Sequence, residues 1–169
     1  NGEINRDLQY SLILPITKAD IVKSRCWIVA AYEIASIIVS IPLAFLMHKL
    51  FPQGNLAGID ANVAFYGLLL VEMSVFNFVM FKRFYKRGEK PGMPFFIAAI
   101  VYWVVYLFLE APIWIKNMLN IEFFLRMDST KPEDLVYQLP VLGVGIVIFI
   151  LGWILTYKVS AKKFEKVDL

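Results

Sequence analysis

Trp27-Ile28-Val29-Ala30-Ala31-Tyr32-Glu33-Ile34-Ala35-Ser36-Ile37-Ile38-Val39-Ser40-Ile41-Pro42-Leu43-Ala44-Phe45-Leu46-Met47 carries one charge, Glu33, and no alternation of apolar and polar positions. A helix needs roughly 17–25 such residues to cross the hydrocarbon core of a bilayer. Working outward, three further apolar runs follow: Ala61 to Phe81 with only Glu72 charged, Phe95 to Leu109, and Leu139 to Tyr157. The third is short and reaches spanning length only if it begins near Met93 or continues past Glu110 and Pro112. The predicted spans are about 27–48, 61–81, 94–112 and 137–157. Lipid leaves every unpaired backbone group unsatisfied, so each run is expected to be helical. Composition agrees, with 59% hydrophobic and 18% charged residues, where a soluble domain has about 45–50% and about 25%. The fold class is all-α integral membrane.

Basic residues set the orientation. Arg6, Lys18, Lys23 and Arg25 precede the first span, Lys82, Arg83, Lys86, Arg87 and Lys90 join the second to the third, and Lys158, Lys162, Lys163 and Lys166 follow the fourth. The other two connections hold Lys49 in one and Lys116, Arg126 and Lys131 in the other. Lys and Arg accumulate on the cytoplasmic side of short loops, so both ends and the 82–94 loop are predicted to be cytoplasmic. With the charge dispersed along membrane edges and a net charge of +3, nucleic acid is not expected as a partner; the basic residues suit lipid headgroups. Asn1 is not a methionine and no signal peptide is visible, which predicts that the chain begins inside a longer protein.

The segment before the first span is the most informative. Leu8 and Leu12 stand four apart among Arg6, Asp7 and Gln9, as on an amphipathic helix, and Pro15 stops it. Thr17 lies three residues before Asp20, the spacing of a capping box, so a new helix is predicted from Lys18 into the first span. The picture is an elbow at the cytoplasmic surface: an interfacial helix, or a lever that carries force into the membrane.

Polar residues inside the spans need partners. Glu33 and Glu72 are expected to face protein, a partner or water, because an ionised acid in lipid is costly; both are candidates for lining a translocation path. Asn77 reads as an interhelical hydrogen-bonding residue, and Gly145 and Gly152 as part of a packing face. Pro42 is expected to kink the first span. Cys26 reads as a packing residue, and one histidine, His48, makes no metal site. Ala111 to Met127 is too polar to span and too apolar for a free loop, so an interfacial or re-entrant helix is expected after Pro112.

Leu12-Ile13-Leu14-Pro15-Ile16-Thr17-Lys18-Ala19-Asp20-Ile21-Val22 resembles the "SLPxSRKDIV" signature of small bacterial ABC-2-type transporter permeases, with Ile16-Thr17-Lys18 in place of the commoner Val-Ser-Arg. Phe81-Lys82-Arg83-Phe84-Tyr85-Lys86-Arg87-Gly88 is similar to the aromatic and basic segment leaving that family's fourth span. The resemblance implies that the four spans are the last four of six, that residues 1–26 form a cytoplasmic coupling segment, and that residues 27–169 form the transmembrane domain. It implies docking on a separate ATPase through Leu14, Pro15, Ile16, Thr17, Lys18, Asp20 and Ile21, with Arg83, Tyr85, Lys86 and Arg87 at a second contact. It further implies a second permease subunit, identical or not, a bacterial plasma membrane, and ATP and Mg held by the partner. This chain contains no GxxxxGK[ST] phosphate loop and no cofactor is expected in it. The short-loop form resembles permeases that export amphipathic peptides, including phenol-soluble modulin exporters, or drugs. The competing readings are a non-transporting scaffold or immunity-type membrane protein and, against the single His and scattered acids, an integral-membrane enzyme.

Overall fold

The computed structural model describes residues 16–51, 59–87, 91–119 and 121–167. Within them lie five helices and no strand: α1 (Lys18–Leu50), α2 (Val63–Arg87), α3 (Gly92–Leu119), the short α4 (Glu122–Met127) and α5 (Pro132–Phe164). Four of these are long and apolar enough to cross a membrane. At 33 residues each, α1 and α5 are about 50 Å long, well beyond a hydrocarbon core of about 30 Å. Their basic ends therefore stand clear of the lipid.

Local chemistry starts and stops these helices. Thr17 caps α1: its hydroxyl accepts from the Asp20 N–H at 3.1 Å while Asp20 Oδ2 accepts from the Thr17 N–H at 3.2 Å, so the capping box read from the sequence is formed. Asn62 caps α2, its Oδ1 accepting from the Phe65 N–H at 3.0 Å. Pro132 opens α5, where a missing N–H costs nothing, and Glu133 and Asp134 in the same turn suit the positive end of the helix dipole. Prolines 42, 112 and 140 all lie inside continuous helices.

The architecture is organised on α2 and α5. The two run parallel, Ala64 beside Gln138, Ser74 beside Ile148 and Tyr85 beside Phe164. Small residues bring the backbones together: a Cβ placed on Gly145 would lie 2.2 Å from the Gly67 carbonyl oxygen, and one on Gly152 would run into Ser74 Oγ. Gly67 and Ser74 are one heptad apart, as are Gly145 and Gly152, so both pairs return to the same seam. α3 packs on α2. α1 lies along the pair by a narrow stripe of partly buried residues, Val29, Glu33, Ile37, Ser40 and Ala44, at helical spacing. Its other faces, including Trp27, Tyr32, Ile38 and Phe45, are exposed.

The connection before α5 differs in part from expectation. A short helix does precede the last span, but it is confined to Glu122–Met127, and residues 111–119 continue α3 straight through Pro112. A proline costs a helix one hydrogen bond, and the apolar residues on both sides keep the helix going. The amphipathic stretch around Leu8 and Leu12 lies outside the described residues.

Candidate coupling foot and intramembrane acids

At one end of the molecule the start of α1 meets the ends of α2 and α5. Ile21, Val22 and Cys26 pack with Phe81, Phe84, Tyr85 and Phe164 into one buried cluster. Lys18 joins it through its stem, its ammonium donating to the Val167 carbonyl at 2.6 Å and lying 5.8 Å from the centre of the Phe164 ring. Arg25 stands 5.9 Å from the Phe84 ring. The periodicity explains the convergence: Ile21 and Arg25 are one turn apart on α1, as are Phe81 and Tyr85 on α2.

The two segments singled out for coupling are thus joined. Ile21 and Tyr85 are buried together; Ile16, Thr17 and Asp20 on one side, and Arg83 and Lys86 on the other, remain exposed. Lys163 lies within electrostatic reach of Lys82, Arg83 and Lys86, so the rim of this foot is strongly positive. Arg87 closes α2, while Leu14 and Pro15 lie outside the described residues.

The intramembrane acids fall into two groups. Glu33 Oε1 accepts from the Asn77 amide at 2.7 Å, linking α1 to α2 in the interhelical role read for Asn77. Glu33 Oε2 and the indole N–H of Trp153 are both buried beside one another without a hydrogen bond among the described residues. Glu72, 4% exposed, lies within hydrogen-bonding reach of the Tyr102 hydroxyl and within electrostatic reach of Glu110. Glu33 and Glu72 have separate partners: Glu33 on α1 meets α2 at Asn77, and Glu72 on α2 meets α3 at Tyr102.

Glu110 is a residue that the sequence reading passed over as an interruption of the third span. It is 3% exposed and accepts from the Ile59 N–H at 2.9 Å. Tyr102, Tyr106 and Glu110 stand at i, i+4 and i+8 on α3, a polar stripe whose spacing was present in the sequence.

A second missed feature closes the end opposite the foot. Gln138, fully buried, accepts from the Ala64 N–H at 3.2 Å and donates to the carbonyls of Arg126 at 2.8 Å and Ser129 at 2.7 Å. Asn62 donates to the carbonyls of Met127 at 2.9 Å and Ser129 at 3.1 Å, and the Asp60 N–H donates to Asp128 at 2.8 Å. Arg126 pairs with Glu122 and stacks 4.6 Å over the Tyr137 ring; the carboxylate beside it raises the guanidinium further above its already high range. This polar clasp satisfies the turn after α4, whose backbone would otherwise lie unpaired against apolar helices.

Four helices able to cross a membrane, built on a glycine-bearing parallel pair with a basic foot and acids set within the spans, define a polytopic α-helical membrane protein. The chain belongs to the ABC-2 family: the model described as "ABC-2 family transporter protein" matches residues 2–161. It is therefore an ABC-2-type permease, the membrane component of an ABC transporter. No curated protein and no solved structure matches the chain.

Proposed function

We propose that this chain is the permease subunit of an exporter that moves an amphipathic or hydrophobic substrate, of the phenol-soluble modulin or drug-like class, out of a bacterial cell. ATP is hydrolysed by a separate subunit docked on the foot, and a second permease subunit completes the path. The basic end then faces the cytoplasm with both termini, in keeping with the charge asymmetry of the flanks.

The observation that carries this reading is the foot itself. A push on the exposed surface of Ile16, Thr17 and Asp20 bears on Ile21, and Ile21 bears on Tyr85 and Phe164 through direct packing. Movement at the docking surface is handed to α2 and α5 without an intervening loop. The positive rim of Arg83, Lys86 and Lys163 suits an acidic groove on the ATPase.

Co-purification and reconstitution test it. Ile16→Glu and Lys86→Glu alter exposed residues that support no described packing, so the protein stays folded. Each is expected to abolish the stimulation of a co-expressed ATPase by this chain. If no ATPase co-purifies and both variants are silent, the reading as an ATP-coupled exporter subunit fails and a scaffold role takes its place.

A further inference from the structure

Two cavities lie in series in the cleft between α1 and α3, floored by α2. One, of about 360 Å³, opens beside Arg25 and Tyr85 and includes Asn77 and Phe84 in its wall. The other, of about 300 Å³, is lined by Phe95, Ala99 and Tyr102. Glu33 and Phe76 line both. The acid therefore stands at the junction of the chambers.

Glu33 has unspent capacity there. Asn77 occupies Oε1 at 2.7 Å, and Oε2 is buried beside the Trp153 indole N–H, with no hydrogen bond formed to it among the described residues. Arg25, the cation in the same wall, is eight residues away on α1, about 12 Å along the helix. It is engaged with Phe84. A carboxylate in a low-dielectric cleft, one oxygen of which makes no hydrogen bond, is complementary to a cation bearing N–H donors. The faces of Phe76, Phe95 and Tyr102 favour the same cation and its apolar tail. Each chamber is at the lower end of the range that holds a small ligand.

We infer that the α1–α3 cleft binds an amphiphile carrying an ammonium group with N–H donors, Glu33 serving as its counter-ion and the aromatic chambers taking its apolar part. The occupant is the transported molecule, which rests on the exporter reading proposed above; binding itself needs no ATPase.

The test uses the purified chain in phosphatidylcholine nanodiscs, whose headgroups carry no N–H donors, and two fluorescent probes that differ only in a terminal primary amine or hydroxyl. The wild type is expected to bind the amine about tenfold more tightly, a difference of about 1.4 kcal/mol. Glu33→Gln is expected to remove that preference while the alcohol binds as before, and Glu122→Gln, the same charge change on exposed α4, to retain it. Should Glu33→Gln fail to fold, carbodiimide labelling of Glu33 in the wild type serves instead: the amine protects, the alcohol does not. Equal affinities for the two probes, a preference that survives Glu33→Gln, or displacement of the amine by phosphatidylethanolamine added to the disc overturns the inference; the last makes the cleft a lipid seat. Selective binding without ATPase coupling defeats the ATP-coupled exporter reading and leaves the site standing, and coupling without selective binding does the reverse.

Discussion

Replacing Gly145 with alanine isolates the seam between α2 and α5. The new Cβ would lie 2.2 Å from the Gly67 oxygen and 2.8 Å from its Cα and carbonyl carbon, all backbone atoms that no rotamer change can move. Ordinary contact begins at 3.4 Å, so the helices must part by about 1.2 Å, the difference between the two distances. A gap of that order forfeits a quarter to a half of each dispersion contact along the seam and stretches the Ser74–Ile148 and Gln138–Ala64 hydrogen bonds, already at 3.3 and 3.2 Å. Overpacking costs about 1–3 kcal/mol, and an obstacle made of backbone puts this case at the upper end. Alanine returns up to about 1 kcal/mol in helix propensity, for a net loss of about 2 kcal/mol. Gly143 provides the control: it is exposed, and a Cβ there meets nothing within 4 Å, so Gly143→Ala gains only the propensity term. Unfolding in mixed micelles with rising dodecyl sulfate, followed by helical circular dichroism, should separate the two variants by about 3 kcal/mol. Coincident unfolding curves would refute the account of the seam.

Two further substitutions probe the ends of the molecule. Gln138→Leu preserves volume but leaves the Ala64 N–H unpaired and takes one donor each from the Arg126 and Ser129 carbonyls, which keep the Ser129 N–H and the Asn62 amide; it is expected to cost about 1–3 kcal/mol and to hasten tryptic cleavage after Arg126, whereas unchanged cleavage would mean that the clasp does not depend on Gln138. At the foot, Tyr85→Ala should cost about 3–5 kcal/mol by opening a cavity at a side chain only 1% exposed. Tyr85→Phe should be neutral or stabilising, because the buried hydroxyl has no hydrogen-bond partner among the described residues; a large loss in the phenylalanine variant would show that the hydroxyl has a partner in the folded protein.

How much was legible follows from the kind of signal each feature leaves. Spans announce themselves because lipid demands long uncharged runs, and Thr17 with Asp20 announces a helix start because capping chemistry is local. Gly145 and Gly152 were readable as a packing face, but not their partner, since Gly67 and Ser74 lie far away in the sequence and only the parallel pairing of α2 with α5 brings them together. Gln138 and Asn62 were invisible for the same reason: an amide near a helix end looks like a surface residue until the backbone groups it satisfies are in place. Glu110 was placed inside the third span at 94–112, but its partner was not legible, because the Ile59 N–H that it accepts from lies 51 residues away in the chain. The separate helix expected after Pro112 was inferred from the mixed polarity of residues 111–127, whereas α3 runs on to Leu119.

The pairing of α2 with α5 has a consequence for how the protein is made. Synthesis delivers α2 to the membrane long before α5, yet α5 supplies the surface against which Gly67, Ser74 and Tyr85 are buried. Earlier helices have no equivalent substitute, since α1 offers α2 little beyond the Glu33–Asn77 contact and the edge of the foot. Insertion and assembly are therefore separate stages in time. Until the last span arrives, α2 has α3 and the edge of α1 to pack on, but the glycine seam at the centre of the fold is unmade.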